Sequence, residues 1–169
     1  ERPPSGGVSV LRESIALPKA MVEATLKLLQ PVKWHGVAMV EFKVDQVSQH
    51  PLLMEINGRF WGSLQLAVDA GVNFPLLLLN MAMGNAHTVP ENRYRIGVKS
   101  RWLLGDLDQL LMRVKKRDCA LNLPPGAPSK FHALMSFCRF FERDLFYEVE
   151  DFDDPAPSRF EMLRYIKLA

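Results

Sequence analysis

Cysteine is scarce in this sequence, and that scarcity limits the classes of protein to which the chain can belong. Only two of its 169 residues, Cys119 and Cys138, are cysteines, and they do not have the spacing of a metal site. Neither a disulfide framework nor a zinc module is indicated. We therefore expect a reduced, cytoplasmic setting.

An excess of one charge and a long apolar run are also missing. Charged residues make up 24% of the chain, yet the net charge is only +2 and the basic residues are dispersed. This balance gives no electrostatic reason to expect nucleic acid as a partner. The densest basic cluster, Arg113, Lys115, Lys116 and Arg117, is interpreted as the cationic end of a helix. The most apolar stretch, Phe74 to Met83, is well short of the ~20 residues of a membrane helix, so no membrane partner is expected.

Apolar residues make up 48% of the chain, which is ample for a folded core. Helical and strand-like periodicities occur without a regular strand–helix–strand alternation. This order favours an α+β fold, with an antiparallel sheet and flanking helices. The predicted helices are 18–30, 63–70, 75–83, 106–116, 129–143 and one after residue 157, and the predicted strands outside the hairpin described next are 8–15 and 94–102.

Two short apolar runs, residues 36–44 and 52–59, carry polar groups that need an explanation. The segment between them has the composition of a turn, so the runs are predicted to form a β-hairpin. Successive side chains of a strand alternate between faces. Each strand would then have one wholly apolar face and one face on which the polar groups collect, Glu41 on the first strand and Glu55 and Asn57 on the second.

A hairpin symmetric about Ser48 would place Glu41 directly opposite Glu55, with Asn57 one pair further along. Like charges in such positions destabilise a sheet, and a bound cation would reverse the sign of that effect. Two carboxylates and an amide oxygen suit Mg²⁺ or Mn²⁺ rather than zinc. Arg59, on the same face, could hold a phosphate or carboxylate with its planar fork. The alternative is a surface hairpin whose polar face is simply solvated.

The two halves of this motif resemble a known family. Gly36-Val-Ala-Met-Val-Glu-Phe-Lys43, followed after a turn by Leu53-Met-Glu-Ile-Asn-Gly-Arg-Phe-Trp-Gly-Ser63, is similar to the C-terminal part of the ATP-grasp domain. This domain occurs in carboxylate–amine and carboxylate–thiol ligases and in the large subunit of carbamoyl-phosphate synthases. Its ligases carry an acidic residue on one strand and Glu-x-Asn-x-Arg on the next, which here are Glu41 and Glu55-Ile-Asn57-Gly-Arg59.

The resemblance implies an ATP-dependent carboxylate–amine ligase. In such enzymes a small carboxylate substrate attacks the γ-phosphate of ATP, and an amine or thiol then captures the acylphosphate. The resemblance further implies that Glu41, Glu55 and Asn57 bind one or two Mg²⁺ (or Mn²⁺) together with ATP, and that Arg59 is catalytic because it steadies the transferred phosphoryl group. Lys43 is a weaker candidate on the same face.

The resemblance covers residues 1 to about 100 well. Residues 101–169 are expected to form a mostly helical extension packed on the same domain. Gly6 and Gly7 either let a flexible loop approach the substrate or form a turn. The sequence before Glu41 is too short for a nucleotide-binding subdomain, so we expect a fragment that is inactive alone.

Two other functions are left open. One is a non-catalytic interaction or regulatory module that keeps the subdomain fold. The other, weaker because no water-positioning base is found, is a metal-dependent phosphohydrolase. A homo-oligomer is also left open.

Overall fold

The computed structural model of the chain describes residues 9–45, 47–85, 93–116, 121, 123 and 127–168. The chain divides into two compact units: Ile15–Ile96, here called the hairpin unit, and Glu1–Ser14 with Gly97–Ala169, here called the sheet unit. The helices and strands follow in this order: β1 (Leu11–Glu13), α1 (Lys19–Leu29), β2 (Met39–Val44), β3 (Pro51–Asn57), α2 (Leu64–Asp69), α3 (Phe74–Ala82), β4 (Lys99–Arg101), α4 (Leu103–Lys115), α5 (Lys130–Phe137), β5 (Leu145–Tyr147) and α6 (Ala156–Leu168).

In the hairpin unit, local sequence signals explain where the helices begin and end. The carbonyl oxygen of Pro18 accepts the first hydrogen bond of α1, from the amide of Val22 at 3.1 Å. The side chain of Asn73 caps α3 by accepting from the amide of Leu76 at 3.0 Å. Gly71, between α2 and α3, has a φ of 104°, a value that glycine adopts without strain.

In the sheet unit, β4 is the central strand of a three-stranded sheet. It runs antiparallel to β1, with Leu11 opposite Arg101, and parallel to β5. Beyond β1 the pairing continues through Ser14, whose amide donates to the carbonyl of Val98 at 2.8 Å and whose Oγ accepts from the amide of Val98 at 3.0 Å. The buried apolar residues of this unit are Val10, Val98, Leu104 and Leu121.

Arg101 on β4 joins the sheet to the first turn of α4 and the end of α5. It is only 2% exposed. Its Nε donates to Oδ2 of Asp106 at 2.7 Å, and its Nη2 donates to the carbonyl of Phe137 at 2.8 Å. The guanidinium also lies 4.9 Å from the ring centre of Phe137 and 5.3 Å from that of Phe140. Since Phe137 is the last residue of α5, Arg101 supplies a donor that the final turn of the helix lacks.

The predicted α+β class is confirmed. The helix predicted over 129–143 is too long, because α5 ends at Phe137. At this end, the carbonyl of Phe137 accepts a hydrogen bond from Arg101. Strand β5 was not predicted, and its parallel pairing with β4 makes this sheet mixed rather than purely antiparallel. The predicted domain boundary near residue 100 stays a prediction. No helix among the described residues is long and apolar enough to cross a membrane.

Candidate metal and phosphate site

The hairpin of β2 and β3 has the register that the sequence predicted at its polar end. Glu41 lies directly opposite Glu55, and Met39 lies opposite Asn57. Residues directly opposite in an antiparallel pair share a face and lie close together. The pairing therefore sets two carboxylates side by side, with Asn57 two residues further along on the same strand.

Towards the turn the pairing shifts by one residue. Phe42 lies opposite Leu53, which leaves Met54 as the additional residue of a β-bulge next to the Glu41–Glu55 pair. Regular strand alternation from Glu55 would put Leu53 on the polar face with Glu55. That placement is wrong, because the bulge moves Leu53 onto the face of Phe42. Bulges bend a strand and are frequent beside functional sites, where they redirect neighbouring side chains.

Asp45 closes the turn between the two strands. Its Oδ1 accepts hydrogen bonds from the amide of Ser48 at 2.7 Å, from the hydroxyl of Ser48 at 2.8 Å and from the amide of Val47 at 3.1 Å. The bonds from Ser48 lower the pKa of Asp45. An ionised aspartate therefore holds the turn at neutral pH, and the turn in turn holds the register of the strands.

The polar side chains of the hairpin are accessible to a ligand. Glu55 and Arg59 are exposed, and Glu41 and Asn57 are half-buried. Nδ2 of Asn57 donates a hydrogen bond to Oε1 of Glu55, so these two side chains are already in contact. Arg59 lies beyond the end of β3, and its Nη1 donates to the carbonyl of Phe60 at 3.0 Å. The sequence predicted Arg59 on the same strand face as Glu55 and Asn57. Because β3 ends at Asn57, the alternation of strand faces does not determine where the Arg59 side chain points.

Gly58 lets an aromatic ring approach the backbone between Asn57 and Arg59. A Cβ at this position would lie 2.5 Å from Cη2 and 2.9 Å from Cζ2 of Trp34, closer than real Cβ contacts. Any larger residue would therefore displace the ring. Trp34 was not predicted to be part of the site, and the signal for it in the sequence is the glycine inside Glu-x-Asn-Gly-Arg.

The residues present fit Mg²⁺, the ion that the family resemblance implies. Magnesium takes oxygen ligands, usually one or two carboxylates, and keeps water and phosphate oxygens in its other positions. Glu41 and Glu55 would supply the carboxylates, and a cation would offset their mutual repulsion. Asn57 would add an amide oxygen. Within the described ranges, the hairpin included, no group of three or more His, Cys, Asp or Glu side chains could hold a metal ion, so the hairpin offers two carboxylates and one amide.

An apolar cavity of about 390 Å³ lies in the same unit, between the end of α1, the segment before β2, and α3. Trp34, Val37, Phe74 and Leu78 are among its lining residues, and Asn80 is the polar side chain on its wall. Among the described residues its wall carries no charged side chain, so the phosphates of a nucleotide would find no ion-pair partner there.

Some residues singled out from the sequence lie outside the described residues. These are Gly6 and Gly7 of the glycine-rich segment, Arg117 of the basic cluster, and Cys119. Cys138, the other cysteine, is exposed and has a free thiol.

A protein-family model matches residues 3–102, more than half of the chain. The match places the chain in the ATP-grasp class, which the hairpin motif predicted. The chain belongs to the family described as ATP-grasp in the biosynthetic pathway with Ter operon. ATP-grasp proteins generally use ATP and Mg²⁺. No curated protein and no solved structure matches the chain.

Proposed function

We propose that the hairpin is the metal- and phosphate-binding half of an ATP-dependent carboxylate–amine ligase that works through an acylphosphate. The observation that carries this proposal is the pairing of Glu41 with Glu55 in the register of β2 and β3. Two carboxylates placed directly opposite each other destabilise the sheet, and a cation bound between them would offset that repulsion. The membership of the ATP-grasp family makes a magnesium–nucleotide complex the natural source of that cation.

In this proposal Glu41, Glu55 and Asn57 hold the metal. Nδ2 of Asn57 is engaged by Glu55, so its Oδ1 is the atom that would serve as ligand. The bound Mg²⁺ would neutralise charge on the phosphates as the phosphoryl group moves. The turn closed by Asp45 and the bulge at Met54 keep the two carboxylates in position before the ion arrives.

Arg59 is the residue proposed to act on the reacting group. A substrate carboxylate oxygen attacks the γ-phosphorus of ATP, the bond to ADP breaks, and an acylphosphate forms. The amine then attacks the acyl carbon and loses a proton, and phosphate leaves. The exposed guanidinium of Arg59 can donate two parallel hydrogen bonds to the phosphoryl oxygens throughout. Trp34 packs on Gly58, the residue that precedes Arg59.

Mg²⁺ binding tests the metal assignment with effects of opposite sign. Without Mg²⁺, Glu55→Gln is expected to raise the melting temperature slightly, because it removes the repulsion with Glu41. With Mg²⁺ or Mn²⁺, the native chain should gain stability and the variant should not. Glu23→Gln is the matched control, since it removes an exposed carboxylate from α1. Equal metal titration of the native chain and Glu55→Gln by calorimetry would exclude the assignment.

Nucleotide turnover tests the catalytic half of the proposal. In the full-length protein, ADP release is expected to depend on an added carboxylate, and single amino acids are the first compounds to test. This release should be lost in Asn57→Ala, while the circular dichroism spectrum of the variant stays that of the native protein. Turnover unchanged in Asn57→Ala would remove this residue from the mechanism. A metal response with no turnover would instead favour a non-catalytic module. A cytoplasmic setting belongs to the same proposal, because ATP is used there.

A further inference from the structure

A second cavity, of about 160 Å³, lies in the sheet unit between the three-stranded sheet and helices α4 and α5. Most of its wall comes from residues after 102, where the family match ends. The metal and nucleotide chemistry proposed for the hairpin does not use it.

The wall of this cavity carries more positive than negative charge. The cationic side chains are Lys99, Arg101, Arg113 and Arg139, and the acidic ones are Asp106 and Glu142, which leaves a net charge of +2.

Both carboxylates of the wall are already used. Nε of Arg101 donates a hydrogen bond to Oδ2 of Asp106 at 2.7 Å. Glu142 accepts from Nζ of Lys99 at 2.8 Å and lies 3.9 Å from Nη1 of Arg139. The hydrogen bond from Lys99 lowers the pKa of Glu142, so this carboxylate is ionised at neutral pH. The wall therefore keeps its net positive charge at neutral pH, with both carboxylates ionised.

Arg113, in the last turn of α4, has no carboxylate partner within the described part of the chain, although it is only 4% exposed. Its Nη2 donates to the carbonyl of Pro128, and its buried Nε has no hydrogen-bond partner there. A buried charge is costly unless it is paired. The C-terminal end of a helix dipole offers only roughly half an elementary charge, which is less than a full counter-ion.

We propose that this cavity binds a phosphate group, carried by inorganic phosphate or by a small phosphate monoester, with Arg113 as its principal ligand. A phosphate dianion matches the net charge of the wall, and the guanidinium fork matches its oxygens. The cavity volume of about 160 Å³ lies below the range of about 300–1,000 Å³ for drug-sized ligands, and it therefore suits a small group such as phosphate. Ser136 on the exposed side of α5 adds a hydroxyl donor at the wall.

Phosphate binding is measured by thermal unfolding and by calorimetric titration of the 169-residue chain with sodium phosphate, against sodium chloride at equal ionic strength. The native chain is expected to be stabilised by phosphate beyond the chloride effect. Arg113→Met should weaken the apparent affinity at least about tenfold, because a charge-assisted hydrogen bond is lost. Arg143→Met is the matched control, since its side chain is 98% exposed and outside the cavity, and it should bind as the native chain does.

A second variant guards against misfolding of Arg113→Met. Ala133→Leu, on α5, fills the cavity and leaves every charge in place, so it should also lose the phosphate response. Glycerol phosphate in place of inorganic phosphate separates the two sources, and a response to either supports the site. No phosphate effect beyond chloride in the native chain, an equal effect in a folded Arg113→Met, or full binding by Ala133→Leu would overturn the proposal. A response to acetate as strong as to phosphate would overturn the assignment of a phosphate.

Discussion

Replacing Arg101 by methionine removes the buried guanidinium that joins β4 to α4 and α5 in the sheet unit. Methionine keeps part of the apolar contact with Phe137 and Phe140 but takes away the guanidinium. The ion pair between Arg101 and Asp106, whose side chain is only 15% exposed, is then lost. Removing one member of a buried ion pair costs about 3–5 kcal/mol. For a unit of this size, that cost lowers the melting temperature by more than about 12 °C.

The assay follows urea unfolding through Trp102, which lies in the same unit and donates from Nε1 to Glu161 at 2.9 Å. The chain has three tryptophans, so replacing Trp34 and Trp61 by phenylalanine leaves Trp102 as the reporter. Arg143→Met serves as the control, because its side chain is 98% exposed and its loss should change the unfolding free energy by no more than about 0.5 kcal/mol.

A double variant separates the buried charge from the loss of packing. When Arg101→Met is combined with Asp106→Leu, neither charge of this ion pair remains, and the cost should fall well below the sum of the two single costs. A cost of Arg101→Met no greater than that of the control, or single costs that simply add, would exclude a stabilising role of this ion pair.

Two further predictions concern other parts of the chain. Gly58→Ala is expected to cost about 1–3 kcal/mol in thermal denaturation, because the new Cβ meets the ring of Trp34; an equal cost in a Trp34→Ala background would exclude the clash. Burial, with repulsion from Glu161 as a smaller cause, raises the pKa of Glu150, so ionising Glu150 disfavours the folded state as the pH rises above the usual glutamate value of about 4.3. Glu150→Gln should therefore be more stable than the native chain at neutral pH and no more stable below that value, and a stability difference independent of pH would contradict this.

The sequence predicted the hairpin well because its information is local. The alternation of apolar and polar residues sets the faces, and the turn from Asp45 sets the pairing, so the position of Glu41 opposite Glu55 followed from the order of the residues. The bulge at Met54 could not be predicted. The apolar residues around it fit a regular pairing of the two strands as well as a pairing with one extra residue in β3. The contact of Trp34 with Gly58 was missed for a different reason, since it joins positions far apart in the chain.

In the sheet unit, tertiary contacts decided what the sequence left open. The end of α5 depends on Arg101, which is remote in sequence and binds the carbonyl of Phe137. Strand β5 is three residues long and exists through its pairing with β4, so it has no strong local signal. The net charge of the phosphate cavity is equally invisible in the sequence, where its cations look dispersed.

The pairing of β1 with β4 has a consequence for the order in which the chain is made. Gly97 donates its amide to the carbonyl of Ser14 at 2.8 Å, so the two points at which the chain leaves and rejoins the sheet unit are neighbours. The segment between them is complete once Ile96 leaves the ribosome, whereas the sheet must wait for β5, about fifty residues later. During synthesis, β1 therefore has no partner strand until the whole hairpin unit and then β4 have been made. Fusing Ser14 to Gly97 through a short linker would remove this delay, and it would be the direct way to obtain the sheet unit as a separate protein.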